Sequence, residues 1–239
     1  MPLNRSTGNM YPNTFTWNPI KGFCPHDCSY CYMKNIRHRF NQVSKVPYFE
    51  ERELINLGSG KTIFVGSSCD MWGDFIPDVW IWTVLNHVKK YPDNRYLFQS
   101  KNPVRFIEFF SLLPEKCHIG TTIETDCFNE MFMGSTPLPM DRAIALRVAG
   151  CKVLDEKERF ITVEPIMEFK LNEFVNLLSK ADPNYINIGA DSGNNHLPEP
   201  APEKIIQLID LLEEFTEVRL KKNLRRLLPE HELYGREYA

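Results

Sequence analysis

An α/β domain built on a parallel sheet is what the sequence predicts, on three observations. Short apolar or β-branched runs alternate with longer amphipathic ones along the chain. No internal repeat or low-complexity tract interrupts them, and several amphipathic runs open with proline near the first turn, where its missing N–H costs nothing. Strands separated by helices at this rhythm pair in parallel through right-handed crossovers. Six or seven such units fit a barrel or an incomplete barrel; an open doubly wound sheet is the alternative.

In chain order, the runs TFTW (14–17) and KTIFVG (61–66) are the first two strands, and PDVWIWTVLNHVKKY (77–91) carries helical spacing behind a leading proline. RYLFQS (95–100) is a strand, PVRFIEFFSLL (103–113) a helix, CHIGTTI (117–123) a strand and DRAIALRVAG (141–150) a helix. RFITVEP (159–165), LNEFVNLLSK (171–180), YINIGA (185–190) and PEKIIQLIDLLEEF (202–215) continue the alternation. VRLK (218–221) is a seventh strand on one reading. On the other, Leu220, Leu224, Leu227 and Leu228 recur at helical spacing and dock a helix, leaving Lys221, Lys222, Arg225 and Arg226 in solvent.

At 239 residues the chain is expected to form one domain over 1–239, with its core at about 14–221 and a tail or short helix over 222–239. With 43% hydrophobic and 25% charged residues, disorder is not indicated. The formal net charge of -3 provides no broad positive field, so a polyanion would have to be met by a local patch. The opening stretch MPLNRSTGNMYPNTFTWNP lacks the apolar core of a signal peptide, and no window approaches the roughly 20 apolar residues of a membrane span. A cytoplasmic protein without a membrane partner is the expectation. There, seven cysteines are thiols or metal ligands, and an odd number cannot pair completely.

Three of those cysteines crowd one loop, GFCPHDCSYCYMKN (22–35), which follows the first strand. In a parallel α/β fold the site lies at the carboxyl ends of the strands, so the polar residues just after each run are the candidates. They are Asn18; Ser67, Ser68 and Asp70; Ser100, Lys101 and Asn102; Glu124; Glu164; and Asp191 with Ser192. Turns and helix caps account for Ser, Asp and Asn at such positions, less readily for Glu124 and Glu164. Zinc would want four closed ligands, usually paired as CxxC, and this chain has no second pair, although His26 or Cys69 could complete a tetrahedron. An iron–sulfur cluster accepts three protein thiolates if a small molecule takes the last iron.

Cys24-x-x-x-Cys28-x-Tyr30-Cys31 resembles the CxxxCxΦC signature of the radical S-adenosylmethionine (radical SAM) superfamily, in which Φ is an aromatic residue. More narrowly, CSYCYM, FVGSSCDMWGD, QSKNP, TTIET, VEPIM and INIGADSG are similar to a phage and prokaryotic subfamily called Gp37/Gp68-like, and more distantly to spore photoproduct lyase. The resemblance implies a (β/α)6 partial barrel of TIM type. It also implies a [4Fe–4S] cluster on Cys24, Cys28 and Cys31, with S-adenosylmethionine on the open iron and an electron donor such as flavodoxin or ferredoxin. Reductive cleavage would then yield a 5′-deoxyadenosyl radical that abstracts hydrogen from a substrate.

Residue roles follow from the same resemblance. Tyr30 and Tyr32 flank the third cysteine, where the family contacts adenine. The family's GGE segment, which holds the methionine amine, is replaced by GSSCD, so Ser67, Ser68 or Asp70 would take over that contact. Glu124 is assigned the ribose, Glu164 a further cofactor contact, and Gly189 the neighbourhood of the adenine. Lys101 and Lys221 over the radical site would suit a phosphate-bearing substrate. A nucleobase, nucleoside or nucleic acid is the expected substrate, with a peptide or small metabolite as the alternative and a zinc-stabilised binding domain as the non-enzymatic one. Cys69, Cys117, Cys127 and Cys151 are expected not to be ligands, and Cys117 and Cys151 to be buried small hydrophobes.

Overall fold

The computed structural model describes residues 3–6, 11, 13–34, 36, 44–151 and 157–228, and ten strands and six helices are bounded among these described residues. In chain order the strands are β1 (Asn4–Arg5), β2 (Phe15–Trp17), β3 (Ile20–Gly22), β4 (Pro47–Phe49), β5 (Thr62–Val65), β6 (Arg95–Ser100), β7 (Cys117–Thr122), β8 (Glu158–Val163), β9 (Tyr185–Ile188) and β10 (Glu217–Leu220). The helices are α1 (Asp78–Val88), α2 (Val104–Glu108), α3 (Glu130–Met133), α4 (Pro139–Cys151), α5 (Leu171–Ser179) and α6 (Pro202–Glu213). The expected helix over 103–113 is broken, since a separate 3-10 turn, Phe110–Leu112, follows α2.

Eight strands form one sheet in the order β1-β2-β5-β6-β7-β8-β9-β10, parallel throughout except for the antiparallel edge pair β1–β2. The parallel strands number seven where the barrel reading expected six, because Glu217–Leu220 pairs in register with Tyr185–Ile188. That pairing settles the leucine-rich segment: Glu217–Leu220 is a strand ending just before Lys221, and Lys222–Arg226 is a short 3-10 turn in place of a docked helix. The antiparallel pair β3–β4, which brackets the cysteine loop, is an addition the sequence did not announce. Of the expected tail over 222–239, residues 229–239 lie outside the described residues.

Strand residues alternate between two faces, as the two-residue period demands. The outward set, including Ile63, Val65, Tyr96, Phe98, Ile119, Ile161, Val163, Ile186, Ile188 and Leu220, joins Ile81, Leu85, Leu146, Phe174, Leu177, Ile205 and Leu208 of the helices in one large core. The inward set Phe64, Leu97, Phe160 and Tyr185 closes around Tyr11. Its ring stands edge-on to Phe64 at 5.2 Å and to Phe160 at 5.8 Å, and its hydroxyl bonds Gln99 and, at 2.9 Å, Thr162. Lys221 Nζ lies 5.3 Å from the same ring. Laid flat, five strand steps at ~4.8 Å would hold β5 and the end of β10 about 24 Å apart, far beyond one tyrosine. The sheet is therefore wrapped, with Tyr11 inside it, although among the described residues no ladder joins β10 to β1. Gly120 serves the same interior: a Cβ there would stand 2.5 Å from the Phe160 ring. No helix among the described residues is long and apolar enough to cross a membrane.

Candidate active site

The cysteine loop lies across the carboxyl ends of the parallel strands and is fastened from both sides. Short-range bonds from Asp27 N to Cys24 O (3.1 Å), Cys31 N to Cys28 O (3.2 Å) and Lys34 N to Cys31 O (2.9 Å) fold it on itself. The segment after β7 clamps it, through Ser29 N to Phe132 O and Ser135 N to His26 O, both 2.9 Å. Gly134 makes that docking possible: its φ is +61°, and a Cβ would sit 1.9 Å from His26 O.

Cys28 is buried, its thiol bonded to Met133 O at 3.4 Å, while Cys24 and Cys31 are partly exposed. A hydrogen bond from the Cys69 thiol brings the Cys24 pKa down to about 6, against the opposing effect of burial, so Cys24 is a ready thiolate. Burial pushes Cys28 up. Among the described residues no three His, Cys, Asp or Glu side chains converge as a site for a single metal ion. Of the other cysteines, Cys117 is fully buried, its thiol pushed up to about 12 by burial, as expected of a small hydrophobe. Cys151 departs from expectation: it ends α4 on the exposed side.

Asp70 ties this loop to the sheet. Its Oδ2 accepts from His26 Nε2 (3.1 Å), Ser100 Oγ (2.9 Å) and the Lys101 backbone N–H (2.8 Å), and its Oδ1 from Trp72 N (3.0 Å). Burial would raise the Asp70 pKa, but His26 and the two backbone donors more than offset it and hold the carboxyl below its usual range. The neighbouring serines are engaged as well. Ser67 Oγ donates to Asn18 Oδ1 at 3.1 Å, Ser68 Oγ donates to Ile20 O at 3.4 Å, and the Tyr32 hydroxyl donates to Ser67 O.

Glu124 is the hub of a second group. Its Oε1 accepts from Tyr30 OH at 2.6 Å and from Lys101 Nζ, which is also 2.9 Å from Tyr30 OH. Its Oε2 accepts from Arg142 Nη1 at 3.0 Å. Burial would raise the Glu124 pKa, yet Arg142 and Lys101 hold this carboxyl far below the usual carboxylate range. Both oxygens are engaged and the side chain is completely shielded, so in this arrangement Glu124 is not open to a ribose. Sequence reasoning missed Arg142. The signal was there, because Arg142 shares the helical stripe of Pro139, Ala143, Leu146 and Ala149, where a charge is out of place.

Across the mouth, Lys221 Nζ bonds Glu164 Oε2, while Asn223 Nδ2 (2.8 Å) and Ser192 Oγ (3.3 Å) donate to Oε1. Gly189 leaves the room Glu164 needs, for a Cβ there would meet its carboxyl carbon at 2.9 Å. Both lysines expected at the mouth are thus there, each paired with a carboxylate and neither a bare phosphate anchor.

A family profile described as a protein of unknown function (DUF5131) matches residues 11–202. The chain belongs to that family. The match does not establish the narrower Gp37/Gp68-like grouping, and no curated protein matches the sequence. Among solved structures the DUF5131 chain is similar to a spore photoproduct lyase double mutant with bound AdoMet and dinucleoside spore photoproduct. That match has a TM-score of 0.64 at 11% identity, covering 89% of this chain and 78% of that one. A second structure, spore photoproduct lyase complexed with dinucleoside spore photoproduct, gives 0.62 at 11% identity over 90% and 78%. A further mutant of the lyase gives 0.61 at 13% identity over 90% and 80%. This chain shares that fold.

Proposed function

We propose that this DUF5131 protein is a radical SAM enzyme of one domain, its wrapped sheet the partial TIM-type barrel of that superfamily, acting on a nucleobase, nucleoside or nucleic acid. The observation that carries the reading is the three-thiol loop, in CxxxCxΦC spacing, clamped over the carboxyl end of a sheet with the fold of spore photoproduct lyase. Cys24, Cys28 and Cys31 would hold a [4Fe–4S] cluster. With S-adenosylmethionine on its open iron and an electron from a donor such as flavodoxin or ferredoxin, that group supplies a 5′-deoxyadenosyl radical.

The chain's own residues orient and shield. Glu124 fixes Tyr30 beside the third cysteine and holds Lys101 at the mouth. Tyr32, Ser67, Ser68 and Asn18 brace the segment after β5, where the methionine amine is expected. Asp70 serves this site as a structural tie through His26 and the Lys101 backbone. Glu164, Lys221, Asn223 and Ser192 present donors and acceptors together, which suits the hydrogen-bonding edge of a base better than a phosphate. That the fold neighbours hold a dinucleoside supports this choice over a peptide or metabolite.

The test is anaerobic reconstitution with iron and sulfide, followed by reduction with S-adenosylmethionine. A brown protein with about four irons per chain that forms 5′-deoxyadenosine is the expected result. Alanine at Cys24, Cys28 and Cys31 should abolish both, while replacing Cys69, Cys117, Cys127 and Cys151 should leave the iron content unchanged. A colourless protein that takes up zinc, or a triple variant that retains its cluster, would overturn the reading.

A further inference from the structure

Two cations share one carboxylate at the mouth. Glu124 and Arg142 are completely shielded from solvent, whereas the Lys101 side chain keeps 17% of its exposure. A buried carboxylate needs a partner, because an unpaired charge in the interior is strongly unfavourable. One cation would be enough, so the group of Lys101, Arg142 and Glu124 carries a surplus positive charge.

Which cation is the spare one follows from position. Arg142 comes from the buried stripe of α4 and has nowhere to turn: Nη1 bonds Glu124 Oε2 and, at 2.6 Å, Thr122 O. Its Nε and Nη2 meet no hydrogen-bond partner among the described residues. A guanidinium kept in the core with two nitrogens unsatisfied is a poor structural clamp, and its charge is aimed at Glu124. Lys101 is on a flexible stem at the end of β6, partly open to the mouth, and its ammonium bonds Glu124 and Tyr30 without being enclosed by them.

We propose that Arg142 is a positioning residue: it is the fixed counter-charge of Glu124, and it makes Lys101 an exchangeable cation that can turn from Glu124 to an anionic group of a ligand. When Lys101 swings away, Glu124 remains compensated by Arg142 and held by Tyr30. The ligand group is a carboxylate or a phosphate, and only the first of these sources rests on the radical SAM reading. The anion belongs where the surplus charge is, at Lys101.

The experiment compares wild type with Arg142→Met, Arg142→Gln and the double variant Arg142→Met/Glu124→Gln, all checked for folding by thermal melting. Binding to cluster-loaded protein is measured for two probe pairs, S-adenosylmethionine against 5′-methylthioadenosine, and a thymidine dinucleoside phosphate against thymidine. Removing the Arg142 charge makes Lys101 the only cation on a buried carboxylate, so the anionic probe should weaken on the order of a hundredfold. Its anion-free counterpart should be unaffected. The double variant removes the reason to hold Lys101, so its affinity should recover by about tenfold or more over Arg142→Met. The probe pair that responds identifies the anion.

A second readout needs no ligand. Acetylation of Lys101, followed by mass spectrometry, should slow in Arg142→Met or Arg142→Gln and recover in the double variant. Single and double variants equally impaired in binding and labelling, or a charge-removed variant indistinguishable from wild type, would overturn the proposal. Failure of wild type to bind S-adenosylmethionine at all would instead count against the radical SAM reading, and the labelling would still judge Arg142.

Discussion

Asp70→Ala is the perturbation whose size the structure specifies best. The alanine removes one acceptor from four donors: His26 Nε2, Ser100 Oγ and the backbone N–H groups of Lys101 and Trp72, at 2.8–3.1 Å. All four bonds converge on a carboxylate whose side chain is only 9% exposed, so solvent does not replace them cheaply. At about 1 kcal/mol for each lost bond, the variant should be destabilised by about 4 kcal/mol. For a protein of this size each kcal/mol shifts the melting temperature by about 2–4 °C, so a fall of roughly 8–16 °C is expected. Urea and thermal melts of the metal-free protein measure it, and keep the result independent of cluster loading. Asp70→Asn, which retains one acceptor oxygen, should fall in between. A loss below about 1 kcal/mol for Asp70→Ala would show that the four bonds are not the tie between cysteine loop and sheet described above.

Gly120→Ala would drive a methyl into the Phe160 ring, 2.5 Å from the new Cβ, and overpacking of this kind costs about 1–3 kcal/mol, readable as a lower urea midpoint. Glu124 supplies a pH test. Its folded pKa lies below the ordinary 4.5, so its contribution is present above that value and is lost as pH falls through the folded pKa. The urea midpoint of wild type should therefore fall more steeply below about pH 4.5 than that of Arg142→Met/Glu124→Gln; parallel acid limbs would contradict the assignment.

The strands were legible because a two-residue alternation with aliphatic and aromatic content leaves few other solutions, and β5 to β9 fall within the runs read for them or differ at their ends. The segment from Glu217 to Leu228 was not legible for a specific reason. Leu220, Leu224 and Leu228 are all buried, as a docked helix would require, yet a strand followed by a 3-10 turn buries the same three. Burial pattern alone could not choose; the open edge of β9, a long-range partner, did. The candidate site divides in the same way. Strand-end polarity is a local signal and led to Lys101, Glu124 and Glu164, while the resemblance carried by the cysteine motif led to Tyr30 and Lys221. The guanidinium of Arg142, which reaches Glu124 from a helix 18 positions away, is a contact that no short motif encodes.

Tyr11 explains how one interior passes from apolar to charged. Its ring lies among Phe64, Leu97, Phe160 and Tyr185, and its hydroxyl reaches the next level, where Gln99 Nε2 donates to Thr122 Oγ1 at 2.7 Å and Thr162 shares the phenol. One step further along each strand come Lys101, Glu124, Glu164 and Lys221, all ionic. Each level is thus solvated by the one beneath it: aromatic edges support a phenol, the phenol and amide support hydroxyls, and the charged pairs stand on that polar level. Ionic groups are tolerated inside a wrapped sheet only when every one has a partner, and here each lysine has its carboxylate. A ligand entering the mouth meets preorganised donors and acceptors whose desolvation has already occurred on folding, so binding need only exchange partners, as proposed for Lys101.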